Sequence, residues 1–278
     1  MGESLCCFHR GEALCMEFIG YLASICIGLV LGVLGSGGSI LSIPILVYLF
    51  HIDVVMASAY SLFIVGATSF VGAIPKYKEH LVSFKTGLLF GIPSIVSIFC
   101  TRKWIVPAIP DVITHIDSFV LTKRIFLLGL FAILMILASV SMIRAKRQVQ
   151  QEDSRSRVFL LILEGILIGV LTGLVGAGGG FLIIPALVLL TGLPFKTAVG
   201  TSLFIIAINS LTGFLGDLLN YTIHWSFLLT ITLLAVTGIL IGNKLSRKIS
   251  PAKLRTAFGW FVLFTGLWIL FRELFLTS

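Results

Sequence analysis

Two glycine clusters hold the residues whose chemistry calls for explanation. The first is Gly35, Ser36, Gly37, Gly38 and Ser39, followed by Pro44; the second is Gly176, Ala177, Gly178, Gly179 and Gly180, followed by Pro185. Each interrupts an apolar run, and glycine costs a helix interior about 1 kcal/mol per residue. In return the cluster lets successive backbone N–H groups turn toward one point. A helix starting just behind it adds the positive end of its dipole. Two such breaks facing each other would bind an anion without a cationic side chain.

A second polar set follows each break. Ser61, Thr68 and Ser69 come after the first, and Thr201, Ser202, Asn209 and Ser210 after the second. Positions 61, 68 and 69 share one helical face, where hydroxyl and amide groups could face the breaks. The competing role for such serines and threonines is a bond back to their own helix carbonyls. Glu164 sits inside an apolar run and is a candidate for proton coupling; an interfacial pairing with a nearby Arg is the other reading. Gly28 with Gly32, and Gly165 with Gly169 and Gly173, are spaced by four and suit close helix packing instead. Pro44 and Pro185 fall where they would shape short helices rather than touch a ligand.

The elements that position these residues are membrane helices. The 278 residues are 58% hydrophobic and 12% charged, with a mean hydropathy of +1.11, whereas soluble domains are about 25% charged. Residues 125–143, 158–175 and 226–242 are each long enough to cross or nearly cross a core of about 30 Å. They do not alternate as barrel strands would. The net charge of +8 comes from Lys and Arg in short connections, which fits membrane topology and excludes a nucleic-acid role. The first apolar run, 18–34, lacks a small-residue cleavage site and reads as a retained helix. The start MGESLCC has Cys6 where an acylation signal needs Ser or Thr.

Shifted by 141 residues, the sequence matches itself: Gly28 falls on Gly169, Gly32 on Gly173, Gly35 on Gly176, Pro44 on Pro185, Ser61 on Ser202, Ser69 on Ser210 and Gly72 on Gly213. This is a duplication. The first repeat spans 17–143, a polar linker 144–157, and the second repeat 158–276. The first reads as helix 18–34, the break, a short helix 40–50, and spans 54–74, 86–101 and 125–143. The second reads as 158–175, the break, 181–191, and spans 197–219, 226–242 and 256–274. The short pieces reach about half a bilayer, so each forms a hairpin with the preceding helix. The expected fold is therefore an all-α integral membrane protein of two inverted repeats, each a broken glycine-rich hairpin plus three spans, about 8–10 membrane segments in all.

With the linker placed in the cytoplasm, Lys76, Lys78, Lys85, Lys196, Lys244, Arg247, Lys248, Lys253 and Arg255 fall inside, as do Arg144, Lys146, Arg147, Arg155 and Arg157. Outside remain Arg10, Arg102, Lys103, Lys123, Arg124 and Arg272, a bias of 14 to 6. The weak point is the outer connection 102–124, with four of these cations, which reads as a small folded cap. Asp217 reads as a cap or a solvent-facing acid at the outer end of its span. No predicted span supplies a Lys or Arg, so backbone N–H groups are the expected anion ligands.

Enzyme signatures are missing. The glycine runs lack the Lys that a phosphate-binding loop requires. Neither the five cysteines nor the histidines (His9, His51, His80, His115, His224) show metal-site or disulfide spacing. No cofactor or metal is expected.

The doubled break-plus-proline, GSGGSILSIP and GAGGGFLIIP, with the later Ala59-Tyr60-Ser61-Leu62-Phe63 and Gly200-Thr201-Ser202-Leu203-Phe204, resembles the sulfite exporter TauE/SafE family of the toluene sulfonate uptake permease superfamily. The resemblance runs over nearly the whole chain. The first copy departs from the usual form at Ser36, Ser39 and Tyr60. The family implies a multi-pass cell-membrane transporter, in bacteria an inner-membrane one. Its substrates would be sulfur-containing anions: sulfite, thiosulfate, or organosulfonates such as sulfoacetate and taurine derivatives. The residues themselves suit a carboxylate carrier or an anion channel too, and an accessory membrane subunit is a third reading. The expected partners are the anion and the bilayer; a homodimer is compatible, and no segment demands it.

Overall fold

A computed structural model describes residues 3–110, 112–116, 119–144, 154–176 and 178–275. In chain order the first half comprises α1 (Glu3–Leu34), α2 (Gly37–Tyr48), α3 (Val54–Lys78) and α4 (Phe84–Cys100). A π-helical turn, Thr101–Ile105, and a last turn, α5 (Val106–Ala108), extend α4 without a break. A small hairpin of β1 (Val112–Ile116) and β2 (Phe119–Thr122) leads to α6 (Lys123–Arg144). The second half comprises α7 (Ser154–Val175), α8 (Gly180–Thr191), α9 (Phe195–Leu218), α10 (Trp225–Ser246) and α11 (Pro251–Phe275).

Lipid offers no hydrogen bonds, so an apolar chain must satisfy its backbone inside helices. Among the described residues seven helices are long and apolar enough to cross a membrane: α3, α4 with its extension, α6, α7, α9, α10 and α11. Part of α1, Ile19–Leu34, and α2 are shorter apolar helices. The outward faces carry large bare side chains such as Phe159 (65% exposed) and Leu233 (66%). In water such a belt would drive aggregation; against acyl chains it is the expected surface. The chain is an all-helical, multi-pass membrane protein apart from the hairpin.

Helices α3 and α9 form the centre, with 67% and 72% of their apolar windows buried against 33–39% for the other five. Their glycines set the crossing. Gly66 packs on Leu211, Gly213 on Leu62, and Gly200 on the Lys76 stem, so moving up one helix means moving down the other. The pair is antiparallel, although the two helices occupy equivalent places in the repeat.

The outer contacts obey the same exchange. Helix α1 lies on α10 and α7 on α4, both parallel. A methyl group on Gly32 would stand 2.6 Å from the Ile239 carbonyl oxygen, and one on Gly173 3.3 Å from that of Ile98. Likewise Gly28 meets the Ala235 carbonyl and Gly169 that of Ser94. Each contact maps onto its counterpart when the halves are swapped. The four-residue glycine spacing thus serves close backbone approach, as its periodicity indicated.

Several sequence expectations need correction. The helix after the first break starts at Gly37 rather than near Ser39. The linker narrows: Arg144 ends α6, 154–157 open α7, and 145–153 lie outside the described residues. The outer connection does fold, but it begins after Ala108, because residues 101–108 prolong the helix. Arg102 therefore stands inside a span, not in a loop.

Candidate functional site

Both breaks start alike. Gly35 N–H donates to the Leu31 carbonyl and Gly176 N–H to the Thr172 carbonyl, each at 2.7 Å. Both glycines are left-handed, with φ of +81° and +78°, where a side chain would be strained. They then diverge. The first break passes through Ser36, at φ −155°, directly into α2. The second keeps Gly178 and Gly179 left-handed, each at φ +67°, before α8 begins. The asymmetry falls on Gly37 and Gly38, the repeat counterparts of Gly178 and Gly179, which α2 takes up as helix.

The two short helices meet at their N-terminal ends. A methyl on Gly180 would stand 2.6 Å from Ser36 Cβ, so the start of α8 touches the cap of α2. Each helix is 12 residues, about 18 Å. The dipoles point their positive ends into one buried place.

Polar side chains ring the second break. Ser210 Oγ would lie 2.7 Å from a Gly178 methyl, and Thr172 Oγ1 packs directly on Gly179. Ser58 and the Arg102 guanidinium press on Gly176. Ser36 Oγ, Thr172 Oγ1, Ser210 Oγ and Arg102 Nε and Nη2 are all buried without a hydrogen-bond partner. A buried unsatisfied polar group costs about 1–3 kcal/mol. Four such residues around one glycine turn leave hydroxyl and guanidinium groups that could donate hydrogen bonds to a ligand held among them.

Other predicted site residues are divided by their contacts. Thr68 and Ser69 are buried with unpaired hydroxyls. Asn209 donates to Ser94 Oγ at 2.6 Å and keeps its carbonyl oxygen free. Ser39 is bonded to the Ser36 carbonyl at 2.6 Å, within the first break. Ser61 is instead tied to Ser42 at 2.5 Å, and Ser202 to the Val199 carbonyl at 2.9 Å. Thr201 accepts from the Ser83 N–H at 2.9 Å, holding the α3–α4 connection rather than a break. Gly35 packs on Val199 and Gly38 on the Ile27 carbonyl. Gly37 begins α2, and Ala177 lies outside the described residues. Glu164 is half-buried with one oxygen unpaired, but it stands 11 residues before the end of α7, about 16 Å from the break.

Two residues were misread from sequence. Arg102 is fully buried, and Asp217 is fully buried too. They form an ion pair, Arg102 Nη1 to Asp217 Oδ2 at 3.2 Å, and Nη1 also donates to Ser58 Oγ at 2.9 Å. A buried cation therefore does adjoin the breaks. The π-helical turn carries it: Thr101 and Arg102 are buried while the next residues turn outward. Gly216 leaves room for its stem: a methyl group there would stand 3.1 Å from Arg102 Cβ. The only signal in the sequence was RK directly after an apolar run, which is the usual mark of a helix end.

At the opposite end of the central pair, Lys76 is buried, with Nζ donating to Ser246 Oγ at 3.1 Å. It lines a cavity of about 90 Å³ together with Glu79, Lys196, Val199 and Arg247. Val199 also touches Gly35, so this cavity ends at the first break. In the repeat, Lys76 occupies the place of Asp217, and Asn243 that of Arg102. Among the described residues no group of three His, Cys, Asp or Glu could hold a metal.

The family model of the sulfite exporter TauE/SafE matches residues 20–269. The chain belongs to the TauE/SafE family. Among curated relatives of this TauE/SafE protein, one named "Probable membrane transporter protein" from Xylella fastidiosa (strain Temecula1) is 27% identical over 89% of the chain and 92% of its own length. YdhB of Bacillus subtilis, also named a probable membrane transporter protein, is 28% identical over 88% and 96%. One so named from Methanocaldococcus jannaschii is 29% identical over 88% and 94%. No solved structure matches the chain. The TauE/SafE protein is thus a membrane transporter by kinship and by fold.

Proposed function

We propose that this transporter carries a small sulfur-containing oxyanion by alternating access, bound where the N-termini of α2 and α8 meet. The observation that carries the reading is the set of unpartnered buried groups (Ser36, Thr172, Ser210, Arg102) around the second glycine turn. A sulfonate or sulfite presents three acceptor oxygens around one charge, which suits converging N–H and O–H donors. The sulfur chemistry rests on the family; the anion preference rests on the residues.

The route is supported from one side by the basic cavity at Lys76, Lys196 and Arg247, which raises the local concentration of anions. Val199 separates it from the first break. On the other side Arg102, Asp217 and Ser58 close the second. In the cell membrane, with the 144–157 linker cytoplasmic, the Lys76 cavity would face the cytoplasm. The repeats would then be inserted upside down relative to one another, a reading supported by the antiparallel α3 and α9.

Purified protein in vesicles tests the function. Saturable flux of sulfite, thiosulfate or sulfoacetate, competed by one another but not by acetate or chloride, is the expected result. Equal flux of acetate would make it a carboxylate carrier, and non-saturating current a channel. Either result would end the sulfur-anion reading.

A further inference from the structure

The Arg102–Asp217 pair is only half satisfied, and the unsatisfied half is the informative one. All of the pairing runs through Nη1: Asp217 Oδ2 at 3.2 Å, Asp217 Oδ1 at 3.4 Å and Ser58 Oγ at 2.9 Å. Nε and Nη2 have no partner. These two nitrogens form the guanidinium edge that takes two oxygens of a carboxylate, phosphate or sulfonate side by side. The residue is fully buried, so bulk solvent does not reach this edge. Nη2 rests against Gly176, and a side chain there would displace it.

We propose that Arg102 is a direct ligand of the transported oxyanion, gripping two of its oxygens through the Nε–Nη2 edge beside the Gly176 turn. Asp217 and Ser58 hold the opposite corner of the guanidinium and so aim that edge. The inference rests on the anion reading of the breaks and adds to it a charged, directional ligand. It also explains how the site distinguishes its substrate. Backbone N–H groups attract any anion, chloride included. A planar two-pronged donor rewards an anion with two coplanar oxygens. Asp217 keeps the empty site neutral, so a cation can stay buried between transport events.

A π-turn at Arg102 fits this role. It rotates one residue out of helical register, at a cost in hydrogen bonding, and such turns recur at functional sites. Its counterpart in the repeat, Asn243, is bonded to the Gly72 carbonyl at 3.2 Å and carries no charge. The grip is therefore present on one side of the two-fold only.

The test uses detergent-purified full-length protein and thermal-shift titrations with sulfite, sulfoacetate, acetate and chloride. Asp217→Asn removes the neutralising charge while keeping an acceptor at the opposite corner of the guanidinium, and should tighten sulfoacetate several-fold. The double variant Arg102→Gln with Asp217→Asn leaves no buried charge beside the second break and should fold, yet lose at least tenfold in sulfoacetate affinity. Arg102→Lys keeps the charge and its pairing with Asp217 but not the fork, and should lose the preference for oxyanions over chloride. If the double variant binds as tightly as the wild type, Arg102 merely neutralises Asp217 and the proposal fails. If the double variant does not fold, unchanged selectivity in Arg102→Lys overturns it in the same way. A wild type that responds to no anion would sink the site reading itself, which separates that failure from the loss of Arg102 alone.

Discussion

Gly180 and Ser36 touch, although they lie in different repeats: a methyl group on the glycine would stand 2.6 Å from Ser36 Cβ. The two half-membrane helices are thus joined tip to tip. A change at this contact should be felt by both.

Gly180→Ala should crowd this contact without backbone strain, since Gly180 has no positive φ. Overpacking costs about 1–3 kcal/mol. The expected result is a lower melting temperature and loss of anion-induced stabilisation. Ser36→Gly in the same chain removes the opposing Cβ and should restore part of both. Without any restoration, the crowding would have to act through Ile206 instead.

Ser210→Ala and Ser61→Ala should part company. Ser210 Oγ is free beside Gly178, whereas Ser61 is engaged with Ser42 at 2.5 Å. Ser210→Ala should weaken anion affinity several-fold with little change in stability. Ser61→Ala should lower stability by about 1 kcal/mol and leave affinity alone. Titration of both variants with one sulfur anion decides it.

Lys76→Met should raise the KM for flux entering from the α3 C-terminal side and make it less sensitive to salt. Lys76 is one of three cations lining that cavity, beside Lys196 and Arg247. Screening acts on the same attraction. Initial rates in vesicles at low and high ionic strength would show the slope flatten. An unchanged salt dependence would remove Lys76 from the entry path.

Glycines at helix crossings should behave differently from glycines that face open space. Gly28→Ala drives a methyl into the Ala235 carbonyl and should sharply reduce folded yield. Gly129→Ala meets nothing within 4 Å and should be neutral or stabilising by up to about 1 kcal/mol. Size-exclusion profiles of the two variants would check this.

The helices were legible because lipid enforces a simple code of long apolar runs broken by glycine and charge. The breaks were legible because the pattern occurs twice. Arg102 and Asp217 were not. Each lies near the end of an apolar stretch, where charge normally marks the exit to water. Only the parallel packing of α9 along the extended α4 brings them together, 115 positions apart. The hydroxyls of Thr201 and Ser202 are taken up elsewhere, Ser202 by its own helix at the Val199 carbonyl and Thr201 by the distant Ser83 N–H, and the spacing alone shows neither. Ser58, Thr172 and Arg102 enter the site through steric contact with glycines, which no spacing rule anticipates.

The swap that relates the two halves preserves the glycines but not the ionisable groups. Lys76 stands where the other half has Asp217, and Asn243 where the first has Arg102. If the two end states of the cycle were perfect mirror conformers, they would have equal energy and the empty carrier would rest in both alike. Here one end of the central pair holds a buried pair of opposite charges, and the other a buried ammonium on a hydroxyl beside Glu79, Lys196 and Arg247. Under the proposed alternating access, the empty carrier would then favour one orientation, and its resting direction would be written in four diverged positions rather than in the architecture they share.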